Sequence, residues 1–183
     1  RLLGPPRRES EFGASINVAG IVRSHQDFAC WYAAEWIRRG IGCYFDNAFP
    51  IRAYDPLTTA AYRLPNGKIQ PSAGIWARRD YLRRIWTLHR LLGPDDARPT
   101  MMIHMTNTQI LPYLTWCDEQ LDLEWKDATD PFQTKYHHSF LRAETIGRQA
   151  GNIPYAIAHV LGQAPADQQR RAKETREAGL MVH

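Results

Sequence analysis

Asp46 closes the apolar run Ile41, Gly42, Cys43, Tyr44, Phe45. A carboxylate there is costly unless it faces a polar pocket or a hydrogen-bonding partner. The competing reading is an Asp that caps the following turn with help from Asn47, as Asp and Asn do routinely. We favour the site reading. Asp118, Glu119, Asp122 and Glu124 form the densest acidic cluster, flanked by Trp116 and Trp125. Paired carboxylates between aromatic walls are what glycosidic cleavage needs. One acid protonates the departing oxygen, another stabilises or attacks the oxocarbenium-like centre, and aromatic faces stack on sugar rings. Taken alone, such a cluster is more often a solvated acidic loop. His104 ends a second apolar run and is followed by Thr106, Asn107 and Thr108, where a sugar-orienting group would sit. His183 is placed in the same way. Two strand-end histidines with carboxylates raise a metal-dependent hydrolase as an alternative. No HExxH, HxH or paired-Cys spacing supports it, and no cofactor is expected. Cys117 beside Asp118 lacks any local signature of a nucleophile. No GxSxG, Walker or dinucleotide fingerprint occurs.

These residues must be positioned by regular elements, and the chain supplies them in alternation. Residues 1–15 read as a lead-in loop and 16–22 as a short β-branched strand. Ser24 with Asp27 resembles a capping box, and Phe28, Trp31, Tyr32 and Trp36 recur at helical spacing up to the stop at Gly40. A buried strand follows at 41–45, ending on Asp46 and Asn47. Asn66-Gly67 marks a surface hairpin near 62–70. A second helix runs from about residue 74 to 92, with Ile75, Leu82, Ile85, Trp86, Leu88 and Leu92 on one face and Gly93-Pro94 as its stop. Residues 100–104 read as a strand, 112–130 as a long functional loop, and 139–149 as a helix. Residues 153–160 fit either strand or helix, 166–178 form a polar helix, and 180–183 begin another strand. Strands alternating with helices argue for a parallel sheet whose polar residues gather at the carboxyl ends. With about four strand candidates, residues 16–183 read as the later part of a (β/α)8 TIM-like barrel, incomplete in this chain, since a closed barrel takes about 250 residues.

Composition narrows the function. The 183 residues are 44% hydrophobic and 23% charged, ordinary for a globular domain and unlike a disordered one. The net charge of +4 is spread over arginine pairs beside acids, without a zinc-finger spacing or a long basic tract, so no nucleic-acid partner is expected. Three cysteines, Cys30, Cys43 and Cys117, are too few for a disulfide framework. No apolar run approaches the roughly 20 residues of a membrane span, so no membrane partner is expected. The sequence opens on Arg1 without a signal-like segment and reads as processed or cut from a longer chain, which leaves a secreted or periplasmic setting open.

The run from Gly42 to Asn47, the excursion from Ala61-Tyr62-Arg63 to Gly67-Lys68-Ile69-Gln70-Pro71, and His104-Met105-Thr106-Asn107-Thr108 occur in a familiar order. Together with Trp116-Cys117-Asp118 to Glu124 and Leu141-Arg142-Ala143-Glu144 to Gly147-Arg148, they resemble the barrel domain of family-123-type glycoside hydrolases. The resemblance spans residues 21–183, the later part of that domain. It implies a (β/α)8-like barrel acting on carbohydrate, including sugars that bear an acetamido group. In acetamido-sugar hydrolases an adjacent Asp-Glu pair works with the substrate's own acetamido group, an adjacency that Asp118-Glu119 has. On this basis Asp46, Asp118 and Glu124 are the candidate catalytic carboxylates, and Asn47, His104, Asn107, Trp116 and Trp125 the candidate sugar-binding residues. A non-catalytic carbohydrate-binding or assembly module with the same barrel is the main alternative. The remainder of the barrel, or the rest of the same polypeptide, is then an expected partner.

Overall fold

The computed structural model describes residues 21–48, 50, 52–57, 59–95, 100–105, 109–122, 136–145, 151–157, 165–177 and 181–182. The chain divides into two compact units, one of residues 1–40 and 50–98, the other of 41–49 and 99–183.

The first unit is a helix pair with a hairpin. Helix α1 (Arg23–Ile37) buries Gln26, Cys30, Ala34 and Ile37, spaced four, four and three residues apart on one stripe. The expected capping box is absent: Val22 is the N-cap, and no side chain caps the helix. Gly40 does supply the stop, its N–H bonding Ile37 O at 2.9 Å with φ at 77°. The hairpin pairs β2 (Tyr62–Arg63) with β3 (Ile69–Gln70). Gly67 N–H bonds Leu64 O, and Leu64 N–H bonds Lys68 O, so Pro65, Asn66 and a left-handed Gly67 form a three-residue turn. Helix α2 (Ile75–Leu92) stops before Gly93-Pro94 and buries Tyr81, Leu82, Ile85 and His89. The two helices pack along these stripes, tied by Gln26 Nε2 donating to Ala77 O at 2.9 Å and by Arg84 reaching Asp27 at 2.6 Å. The aromatic residues of α1 face away from its buried stripe, and Trp31 is 65% exposed.

The second unit is mixed α/β with a parallel sheet. Its strands are β1 (Cys43–Phe45), β4 (Met101–His104), β5 (Glu119–Asp122), β6 (Ile153–Ala156) and β7 (Met181–Val182), lying side by side in chain order and all parallel. Between them run α3 (Leu111–Leu114), α4 (His138–Glu144) and α5 (Pro165–Glu177). The stretch expected to be a long loop at 112–130 thus contains a short helix and the central strand of the sheet, and 153–156 resolves as strand. Gly42 immediately precedes β1, where a Cβ would lie 2.5 Å from Thr100 O, so only glycine lets the chain come this close.

Register assigns the two faces, because aligned residues of parallel strands point the same way. One face carries Met101, Ile103, Gln120 and Ala156, all buried, with Tyr136, Phe140 and Leu141 packed at Ala156. The other carries Tyr44, Met102, Glu119 and Ile153 in one row and His104, Leu121 and Tyr155 in the next. On that face Tyr44 and Ile153 are exposed and Met102, Glu119 and Tyr155 half-buried. Among the described residues no helix is long and apolar enough to cross a membrane.

Candidate functional site

Parallel pairing puts every strand's carboxyl end on one edge, and there Asp46 and His104 meet across neighbouring strands. The β1–β4 ladder opens with Cys43 N–H on Thr100 O at 3.0 Å. Steps of two along both strands would bring the N–H of residue 47 to His104 O. Ala48 N–H is found there instead, at 2.8 Å. One extra residue is therefore accommodated at Asp46-Asn47, and Asn47 takes a left-handed conformation with φ at 50°. Asn is among the residues that bear this best. The insertion acts as a β-bulge, the device that re-aims a side chain at a sheet edge.

Around the bulge three side chains form a triangle. His104 Nδ1 lies 2.9 Å from Asp46 Oδ1. The Tyr44 hydroxyl donates to the same oxygen at 3.2 Å and is 3.2 Å from His104 Nδ1. Asn47 adds two donors, its backbone N–H to Asp46 Oδ1 and its Nδ2 to Oδ2, both at 2.9 Å. A carboxylate has about four acceptor positions, and four groups converge on this one. The Asp46 side chain is nevertheless 54% exposed, whereas that of His104 is 8% exposed. The arrangement is an exposed carboxylate that already accepts hydrogen bonds from its neighbours, suited to facing positive charge or orienting a ligand.

Other expected site residues lie elsewhere. Asp118 immediately precedes β5, on the amino edge of the sheet. Its N–H bonds Met101 O at 2.9 Å, and its Oδ2 accepts the Met101 N–H at 3.0 Å. Asp118 is level with Met101 and so about 10 Å along the strand direction from His104, at 3.3 Å per residue. It clamps the start of β4 and does not join Asp46, which removes it from the acid pair. Trp116, in the turn leading into β5, shares that distant edge. Asp118-Glu119 is adjacent in sequence, but strand alternation sends the two residues to opposite faces. Cys117 is buried, and burial pushes its thiol far above the ordinary range, with Asp118 adding to the effect. A neutral thiol is a poor nucleophile. Glu124, Asn107, Trp125 and His183 lie outside the described residues. Among the described residues, no three His, Cys, Asp or Glu side chains gather closely enough to hold a metal ion.

Sequence reasoning missed Tyr44. The signal was available: Tyr44 and Asp46 have the same parity in the run ending β1, so a strand presents both on one side. Compared with protein-family models, with curated proteins and with solved structures, the chain matches none.

Proposed function

We propose that the second unit is the later part of a (β/α)8-like barrel whose carboxyl edge binds and hydrolyses carbohydrate, with Asp46 as its charge-stabilising carboxylate. The barrel reading is supported by strand order. Doubly wound folds reverse direction at a switch point, whereas the five strands here add in chain order without reversal. Right-handed crossovers between such strands place their helices on one face. A parallel sheet is normally covered on both faces, and the face bearing Tyr44 and Ile153 is the half-exposed one. In a barrel that face is the interior, filled by the opposite strands.

The observation that carries the functional reading is the Asp46 cluster. It is an exposed carboxylate, on a bulge, at the carboxyl edge where barrel enzymes place their chemistry. A fixed anion of this kind suits the positive charge that develops at the anomeric carbon. The proton for the departing oxygen must come from another acid. Glu124, two residues beyond the end of β5, remains the sequence candidate. His104 and Asn47 hold the carboxylate, and Asn107 and Trp125 stay candidate sugar contacts.

The test is hydrolysis of a panel of aryl glycosides, acetamido sugars included, by the intact protein. Asp46→Asn keeps the shape and removes the charge, and turnover should fall about a hundredfold or more. Undiminished turnover in this variant overturns the assignment. With Asp118 on the other edge, no second carboxylate is placed beside Asp46 among the described residues, which favours a non-catalytic sugar-binding module as the second reading. Glycan retention without any released product would establish that reading over the first.

A further inference from the structure

We propose that Asp46 locks His104 as its Nδ1–H tautomer, so that Nε2 is the nitrogen that accepts a hydrogen bond or a proton at this site. Asp46 Oδ1, His104 Nδ1 and the Tyr44 hydroxyl form a triangle with sides of 2.9, 3.2 and 3.2 Å, too small for its hydrogens to be placed at will. Suppose first that Nδ1 carries a lone pair. Then two acceptors face each other at 2.9 Å, and the single Tyr44 hydrogen can relieve only one of them. Suppose instead that Nδ1 carries the hydrogen. It fills the shortest side of the triangle, Tyr44 donates to the same oxygen, and Asn47 N–H completes the set on Oδ1 while its Nδ2 occupies Oδ2. Within the triangle and on Asp46, each of these donors then has an acceptor, and no two lone pairs oppose. A neutral imidazole has one N–H, so Nε2 must hold the lone pair.

Tyr44 and Asp46 are thereby positioning residues for His104. The ring, 8% exposed, is clasped on its Nδ1 side by an anion that is itself fixed by three other donors. The tautomer stands on this geometry alone. Its use rests on the hydrolase reading: an Nε2 that holds the lone pair accepts and cannot donate, so a ligand group or water that reaches it must bring the hydrogen.

Nitrogen-15 NMR of the imidazole rings tests the proposal without any substrate. The protein is examined above the titration range of an ordinary histidine, and the His104 signals are identified by their loss in His104→Gln. The expected spectrum shows a protonated Nδ1 and a bare Nε2. In Tyr44→Phe this pattern should persist, because Asp46 remains. In Asp46→Ala the Nδ1–H loses its anionic acceptor, and the Nε2–H form should appear, since the Tyr44 hydroxyl can donate to Nδ1 as well as accept from it. An Nε2–H ring in the unmodified protein, or an unchanged ring in Asp46→Ala, overturns the proposal. Absence of glycan hydrolysis by the unmodified protein, with the Nδ1–H form present, would instead sink the enzymatic reading and leave the tautomer standing.

Discussion

Asp118 just before β5 and Asp46 just after β1 are both carboxylates that flank a strand, yet their partners give them opposite characters. Asp46 collects its donors from side chains and its own turn and stays exposed. Asp118 spends one oxygen on the Met101 N–H, and its backbone continues the same ladder. Asp118→Ala should therefore cost stability, about 1–3 kcal/mol for the half-buried N–H left without its charged acceptor. Glycan turnover per folded molecule should be unchanged. Urea denaturation and an activity assay on the folded fraction measure the two effects separately, and a selective loss of turnover would return Asp118 to the site. The difference between the two aspartates was only half legible in the sequence. The cost of a carboxylate after an apolar run singled out Asp46. Which edge of the sheet received Asp118 depended on where β5 begins, and Glu119, Gln120, Leu121 and Asp122 contain one apolar residue in four. Tyr44 escaped for the converse reason. Among apolar neighbours an aromatic reads as core, although its hydroxyl needs a partner when it meets a polar edge.

At the scale of elements, the strand–helix alternation was legible wherever a glycine or proline punctuated it. Gly40, Gly67 and Gly93-Pro94 each mark an observed boundary. The failures come from elements whose stability is tertiary. Strand β5, the central one, buries a polar side chain: Gln120 Nε2 donates to Gln109 Oε1 at 2.9 Å and to Glu144 O at 2.7 Å, while its Oε1 is buried with no hydrogen-bond partner among the described residues. A polar side chain buried in this way defeats a reading by hydrophobic period. Helix α1 fails in the other direction. Its most apolar-looking residues, Phe28, Trp31, Tyr32 and Trp36, contact one another on the outward face, with Phe28 and Trp31 ring centroids 6.0 Å apart. The helix packs instead through Cys30, Ala34 and Ile37. Two substitutions separate the faces. Trp31→Ser removes an exposed ring and should lower stability by about 1 kcal/mol or less. Ile85→Ala hollows the buried side of α2 and should cost about 2–5 kcal/mol. If denaturant midpoints showed Trp31 to be the costlier loss, the outward orientation of α1 would be wrong.

The stability of the whole molecule should carry the imprint of one thiol. Cys117 lies buried in the connection from α3 to β5, where the Asn152 side chain donates to the carbonyls of both Leu114 and Cys117. Burial, reinforced by the charge of Asp118, raises this thiol above its ordinary value of 9.0. An unfolded chain releases that proton near the ordinary value, while the folded chain retains it. Above that pH the unfolded state binds fewer protons than the folded one, so stability must fall as pH rises. Below it both states keep the proton, and the contribution is flat. The slope from this single group approaches about 1.4 kcal/mol per pH unit. Other groups titrate in the same range, so the variant supplies the control. Cys117→Ala loses a little packing at every pH, but it removes the titrating group. Urea midpoints followed from pH 7 to pH 10.5 should converge as the unmodified protein weakens faster than the variant. Parallel curves would mean that the Cys117 sulfur is reached by solvent in the native state, against its burial.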